Sequence, residues 1–88
     1  MSNVQDKYKN NLDYNLKQKI IEAVIFQSAD PINFKVLEKY VSDKEVLDDI
    51  LFILKEKYNS SGVNLININN SYAFRTSYEV AEFLNIEK

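Results

Sequence analysis

The sequence predicts a mainly α-helical domain that carries a small β-hairpin, an α+β fold. Apolar residues recur at helical spacing in four stretches of the 88-residue chain. Near the C-terminus, two short stretches alternate instead as strands do, and a run of Asn and Ser separates them. The elements are therefore predicted in the order helix, helix, helix, strand, strand, helix.

Composition restricts the class of function. The 45% hydrophobic and 27% charged residues are typical of a globular chain. With no Cys and no His, the chain lacks a thiolate, the commonest general base and the commonest metal ligand. No apolar run reaches the roughly 18–20 residues that span a bilayer, and the N-terminus lacks the apolar core of a secretory signal. We expect a cytoplasmic protein that is not an enzyme, uses no cofactor and has no membrane contact.

The third predicted helix, residues 42–58, has the clearest amphipathic pattern. Ser42, with Glu45 three residues later, predicts a capping box at its start. Lys55 and Lys57 lie where the negative end of the helix dipole favours cations. Its apolar residues fall on one broad arc and predict the face that packs on the core: Val46, Leu47, Ile50, Leu51, Ile53, Leu54 and Tyr58.

The opposite arc of this helix is acidic and carries one aromatic residue, Phe52. Aromatic residues with a charged rim are enriched at protein interfaces, so Phe52 is a candidate contact residue. The alternative is that another element covers it, or that it is one of the isolated apolar residues common on surfaces. The acidic candidates beside it are Asp48, Asp49 and Glu56. Asp48 and Asp49 are adjacent and diverge by about 100° on a helix, which excludes a facing catalytic pair.

The first helix is predicted over residues 15–28, with Asp13 or Asn15 as N-cap. Its apolar set is wider than one core-facing stripe, and Ile25 and Phe26 lie toward the edges. They either pack in the core or contact a second copy or a partner. Pro31 ends this helix, and a short second helix follows over residues 33–40.

After the third helix, Gly62 is predicted to take a left-handed conformation. Strands are predicted over residues 63–68 and 72–76, joined by a turn at residues 69–71. Ser77 is predicted to cap a last helix over residues 78–86, and its Tyr78 is a further candidate interface residue.

Three helices followed by a hairpin is the winged-helix plan: a three-helix helix-turn-helix core, a two-stranded antiparallel wing and a short C-terminal helix. Residues 1–14 are predicted to be a polar N-terminal tail, and residues 15–88 a single winged-helix domain.

Residues 19–78 resemble the N-terminal winged-helix domain of the bacterial segregation and condensation protein B (ScpB) family. One matching segment is KIIEAVIFQSADPI, with an Ile-Glu-Ala triplet, a hydrophobic pair, a small-residue turn and Pro. The other is GVNLININNSYAFRTSYE, a strand, a turn and then Tyr-x-x-x-Thr. Together they occur in the family's order, with the third helix between them.

The resemblance implies a non-enzymatic module for chromosome segregation and condensation. Members of the family have two tandem winged-helix domains, form homodimers and bind the kleisin ScpA, and through it SMC. The module would thus be nucleoid-associated through the complex. The sequence departs from the pattern in ending at Lys88, where a second winged-helix domain is expected. It also has Ser71 where the family often has Gly, which implies a slightly strained wing turn.

The alternative is a winged-helix transcriptional regulator that binds DNA. The net charge of −2 gives no general attraction to phosphate. A recognition helix that enters a groove offers Arg, Lys, Asn or Gln, whereas the exposed arc of residues 42–58 is acidic. We therefore expect no direct sequence-specific DNA binding. The candidate interface comprises Ile25, Phe26, Asp48, Asp49, Phe52, Glu56 and Tyr78.

Overall fold

A computed structural model describes residues 13–85. These residues form four helices and a three-stranded antiparallel sheet, and the predicted α+β class is confirmed. Residues 1–12 of the predicted tail lie outside the described residues. The predicted end of the last helix, residue 86, lies outside them as well. In chain order the elements are α1 (Tyr14–Gln27), β1 (Ile32–Asn33), α2 (Phe34–Val41), α3 (Lys44–Lys57), β2 (Val63–Ile68), β3 (Ser71–Thr76) and α4 (Tyr78–Leu84).

The sheet has one strand more than the predicted two-stranded wing. β1 pairs antiparallel with β3, Ile32 opposite Tyr72 and Asn33 opposite Ser71, so the strand order is β1-β3-β2. The backbone N–H of Phe34 also donates to the carbonyl of Asn70 at 2.9 Å. A strand of two residues is too short to show an alternating pattern, and therefore the sequence did not reveal it.

The hairpin turn between β2 and β3 has two residues, Asn69 and Asn70, with φ of 49° and 66°. Two positive φ values are typical of the primed turns that match strand twist, and Asn tolerates them. Ser71 is instead the first residue of β3, opposite Ile68, and its φ is not positive. The expected strain at Ser71 is therefore absent, because the left-handed positions precede it.

The caps of two helices meet at the α2–α3 connection. The predicted capping box at Ser42 is wrong: Ser42 ends α2 in a left-handed conformation, with φ of 58°. Asp43 caps α3, and its carboxylate accepts from the N–H groups of Glu45 at 2.9 Å and Val46 at 3.2 Å. Two residues separate the helices, so one must end α2 and the other must begin α3. At the start of α1, Asp13 is the N-cap.

Gly62 does not adopt the predicted left-handed conformation. Its carbonyl accepts a 2.8 Å hydrogen bond from the N–H of Ser77, which joins the start of the hairpin to α4. Ser77 caps α4 as predicted, and its hydroxyl accepts from the N–H of Val80. Gly62 therefore links the wing to the last helix and does not form a left-handed helix end.

The core lies between α1, α2, α3 and one side of the wing. Ile25 is 2% exposed and belongs to this core, so packing, not contact with a partner, accounts for it. Fully burying one such aliphatic side chain contributes about 1.5–3 kcal/mol. The buried cluster consists of Ile21, Val24, Ile25, Phe34, Leu37, Val41, Leu47, Ile50, Leu51, Leu54 and Leu65.

The left-handed turn gives a first prediction. Asn70→Gly removes the Cβ where φ is positive and keeps the backbone N–H that donates to Asn67. We expect thermal denaturation to show a melting temperature raised by about 2–4 °C, and lowered by a similar amount or more for Asn70→Val.

Asn59→Gly is the matched control, because Asn59 also lies in a turn but its φ is not positive. There the added freedom of the unfolded chain brings no relief of strain, so the melting temperature should fall. Equal shifts for both Gly variants would contradict the assignment of the turn.

Candidate interaction surfaces

Six of the seven candidate interface residues are exposed, but they do not form one surface. Phe26 on α1 is 78% exposed, Phe52 on α3 is 66% exposed and Tyr78 on α4 is 74% exposed. The structure brings Asp48 and Phe52 together, whereas Asp49 and Glu56 are exposed beside them. Two concave surfaces result, one beside Phe26 and one beside Phe52.

The Phe26 patch is a shallow cavity of about 330 Å³ where α1, the end of α3 and the wing meet. Phe26 lies one turn from Ala23 and two turns from Lys19, so the three share a face of α1. The patch is mainly apolar and is lined by Lys19, Glu22, Ala23, Phe26, Tyr58, Val63 and Phe74.

The Glu22 carboxylate of the Phe26 patch is bound by neighbouring side chains, whereas Lys19 has no ion-pair partner among residues 13–85. The Tyr58 hydroxyl donates a hydrogen bond to the Glu22 carboxylate, and Lys57 Nζ lies 3.7 Å from Glu22 Oε1. The Tyr58 ring packs edge-on against Phe74, with centroids 5.0 Å apart and planes at 67°. The hydrogen bond to Glu22, then burial and the charge of Glu22, raise the pKa of Tyr58 above its ordinary value. The carboxylate is therefore compensated, and the patch presents mostly apolar area.

The Phe52 groove is a smaller cavity of about 160 Å³ between α3 and the wing. Four of its residues occupy positions i, i+3, i+4 and i+7 of α3, which is one helix face. On the wing side, the Asn67 side-chain amide donates to the Tyr72 hydroxyl at 3.2 Å. The groove is lined by Asp48, Leu51, Phe52, Lys55, Leu65, Ile66, Asn67 and Tyr72.

The two ends of the Phe52 groove carry opposite charges, Asp48 at one and Lys55 at the other. Burial and, to a smaller extent, the negative charge of Asp48 raise the pKa of the Tyr72 hydroxyl. Among residues 13–85, the observed ion pair joins Lys57 and Glu22. Neither Asp48 nor Lys55 has an ion-pair partner in this part of the chain. Two charges without an ion-pair partner among the described residues therefore flank the floor formed by Leu51 and Leu65.

The short helix α4 exposes apolar side chains that sequence reasoning did not single out. Phe83 is 86% exposed and Leu84 is also exposed, whereas Ala81 is buried. Residues two apart on a helix differ by about 200°, so Ala81 and Phe83 face opposite directions. The spacing of Ala81 and Phe83 could therefore have predicted from the sequence that Phe83 is exposed when Ala81 is buried. Lys55 and Tyr72, in contrast, became groove residues only through the packing of the wing.

Potential metal ligands, buried polar atoms and helix length are three further features of the described residues. Within residues 13–85, no three acidic, His or Cys side chains are grouped so that they could hold a metal ion. In the same part of the chain, no buried side-chain polar atom lacks a hydrogen-bond partner. None of the described helices is both long and apolar enough to cross a membrane.

The Tyr58–Glu22 hydrogen bond gives a second prediction. Tyr58→Phe should lower the free energy of unfolding at pH 7 by about 1–2 kcal/mol, because the carboxylate loses its donor. The fold raises the pKa of Tyr58, so this contribution is complete below about pH 10 and is lost as the pH rises through the raised pKa.

Urea denaturation at several pH values measures the difference in free energy of unfolding between the wild type and Tyr58→Phe. The gap between wild type and Tyr58→Phe should stay constant from pH 7 to 9 and narrow above about pH 10. Tyr40→Phe is the control, since no hydrogen bond joins the exposed Tyr40 hydroxyl to a described residue. A gap that widens at high pH would contradict the hydrogen bond.

Comparison with known proteins matches the sequence of this chain to one family. The profile of the family described as "Segregation and condensation complex subunit ScpB" matches residues 19–87. "Segregation and condensation protein B" of Clostridium acetobutylicum is 34% identical over 74 residues, which is 78% of this chain and 36% of that protein. The chain thus spans little more than a third of the length of this curated relative.

Solved structures share the fold. ScpB from Mycobacterium tuberculosis matches with a TM-score of 0.76 and 15% identity, over 85% of this chain and 49% of that one. A dimer of the ScpB N-terminal domain complexed with an ScpA peptide matches with a TM-score of 0.73 and 16% identity, over 81% of this chain and 93% of that one. Because the family profile covers most of the chain, from the first helix through the last, the protein belongs to the ScpB family of segregation and condensation complex subunits.

Proposed function

We propose that this domain is a non-enzymatic interaction module of the SMC–kleisin complex for chromosome segregation and condensation. In this proposal it forms homodimers and binds the kleisin ScpA. The family match over residues 19–87 carries the proposal. The similar ScpB N-terminal domain, matched over 93% of its length, is a dimer in complex with an ScpA peptide, which supports both contacts.

The Phe26 patch suits contact with a second copy. Around a two-fold axis the same surface meets itself, so an uncompensated charge would face a like charge. Glu22 is held by Tyr58 and Lys57, and Phe26 and Val63 are the exposed apolar groups beside it. Lys19, which also lines the patch, has no ion-pair partner among residues 13–85. A mainly apolar patch is compatible with self-association, because the long Lys19 side chain can turn its ammonium group toward solvent.

The Phe52 groove suits the kleisin. A groove between a helix and a hairpin accepts one side of a peptide segment, and a central aromatic residue is a frequent hot spot of such contacts. Phe52 provides the aromatic residue, and Leu51 and Leu65 provide an apolar floor. Kleisin binding at this groove would place the domain on the chromosome through SMC rather than through DNA contacts of its own.

The charges of α3 and the wing argue against a DNA-binding regulator. Asp48, Asp49 and Glu56 are exposed on the side of α3 that a DNA-binding winged helix inserts into the major groove. The wing tip, Asn69 and Asn70, is uncharged. Carboxylates facing phosphates repel them, so direct sequence-specific DNA binding is not part of the proposal.

Binding to ScpA is the third prediction. In calorimetry with ScpA from the same genome, we expect a dissociation constant in the micromolar range or tighter. Phe52→Asp should weaken it at least about tenfold, because a charge replaces the apolar contact. The melting temperature of the Phe52→Asp variant should differ little from that of the wild type, since Phe52 is exposed.

Phe83→Asp is the matched control, because Phe83 is also a largely exposed Phe but lies on α4, outside the groove. Duplex DNA is the parallel titrant. Salt-sensitive DNA binding together with no ScpA binding would overturn the proposed function.

Self-association is the fourth prediction. In analytical ultracentrifugation, the wild-type chain should show a concentration-dependent dimer, and Phe26→Asp should shift it to monomer. Phe52→Asp, a substitution of the same kind on the other surface, should leave the dimer intact. A wild-type chain that is monomeric at all concentrations would remove the dimer from the proposal.

A further inference from the structure

We infer that the Phe52 groove selects its kleisin segment by a pair of charges, one at each end. Asp48 would receive a Lys or Arg of the segment, and Lys55 would receive an Asp or Glu about 10 Å away. This inference rests on the proposed function, because the occupant is a segment of ScpA. It adds the chemistry of that segment and the direction in which it lies.

The spacing follows from helix geometry. Asp48 and Lys55 are seven residues apart on α3, which is almost two full turns, so both side chains leave the same face. Seven residues at 1.5 Å each separate the two positions by about 10 Å along the axis. Leu51 and Phe52 lie between them, and all four line the same cavity.

Both charges are available to a partner. Neither Asp48 nor Lys55 forms an ion pair with a residue in the described part of the chain. Asp48 also acts inside the groove, since its negative charge contributes to raising the pKa of Tyr72 on the opposite wall. Lys55 lies at the far end, near the end of α3. The groove therefore has one negative end, an apolar middle and one positive end.

This pattern favours one occupant over others. A uniformly basic segment, or the uniformly anionic backbone of DNA, meets a like charge at one of the two ends. A segment with one cation and one anion, separated by apolar side chains, meets an opposite charge at both ends. If the same segment is turned end to end, both charges are opposed. The charges thus determine the direction of binding, while the exposed Phe52 ring offers the main apolar contact.

Neighbouring charges on α3 allow a controlled test. Asp49 is adjacent to Asp48 and Lys44 is the first residue of the same helix; both are exposed, and neither lines the groove. Asp48→Asn and Asp49→Asn are therefore the same chemical change inside and outside the groove. Lys55→Gln and Lys44→Gln form the second matched pair.

The experiment is calorimetry of ScpA with these four variants at low salt. We expect about 3–10-fold weaker binding for Asp48→Asn and for Lys55→Gln, and less than about twofold change for the two controls. The differences should shrink as NaCl is raised from about 50 to about 300 mM, because salt screens exposed charges. Thermal melts establish that each variant is folded.

The double reversal, Asp48→Lys with Lys55→Asp, is the decisive variant, because it preserves the net charge and inverts the direction of the groove. We expect it to bind ScpA at least about tenfold more weakly than wild type. If ScpA binds the double reversal and the wild type equally, the inference fails and the proposed function stands. If Asp49→Asn weakens binding as much as Asp48→Asn, general acidity replaces the charge pair and the inference also fails. If wild type does not bind ScpA, the proposed function and the inference fall together.

Discussion

The burial of one face of α3 is the constraint on which the rest of the structure depends. Leu47, Ile50 and Leu54 are fully buried against α1, α2 and the wing. Packing fixes the rotation of the helix about its axis, and that rotation decides which side chains face outward. Phe52 and its charged neighbours are exposed because the apolar stripe occupies the other side. The groove surface is thus a direct consequence of the core.

The wing converts that helix face into a groove. β2 follows α3 and pairs with β3, and β1 adds a third strand on the far side of β3. The Asn69–Asn70 turn permits a tight hairpin, and the hydrogen bond from Ser77 to Gly62 joins its start to α4. The hairpin holds Leu65 and Tyr72 opposite the α3 face, and the surface becomes concave. A concave surface contacts more of a bound segment than a helix face alone.

The two concave surfaces differ in whether their carboxylates are paired within the fold. At the Phe26 patch, Glu22 is bound by Tyr58 and Lys57, so its charge is satisfied within the fold. At the Phe52 groove, Asp48 and Lys55 have no ion-pair partner among residues 13–85. Compensation of Glu22 removes the one acidic charge of the Phe26 patch and favours apolar contact with an identical surface, although Lys19 stays unpaired among residues 13–85. The oppositely charged ends of the Phe52 groove favour discrimination between different partners. This difference is the basis on which the proposed function assigns the two surfaces to different partners.

Local patterns in the sequence predicted the order of the four helices and of the two hairpin strands, the bounds of β2, the Asn turn and the Ser77 cap, because spacing and side-chain chemistry fix these within a few residues. They left open whether Asp13 or Asn15 caps α1 and whether Phe52 is exposed, and the structure decided both. Tertiary structure decided what depends on distant residues. The two-residue β1 exists only by pairing with β3, and Ile25 is buried only because other elements cover it. The pairing of Glu22 with Tyr58 and of α3 with Tyr72 joins residues far apart in the chain, and no local pattern encodes such contacts. The sequence therefore predicted individual interface residues, and the tertiary structure decided which of them share a concave surface, because that depends on the packing of distant elements.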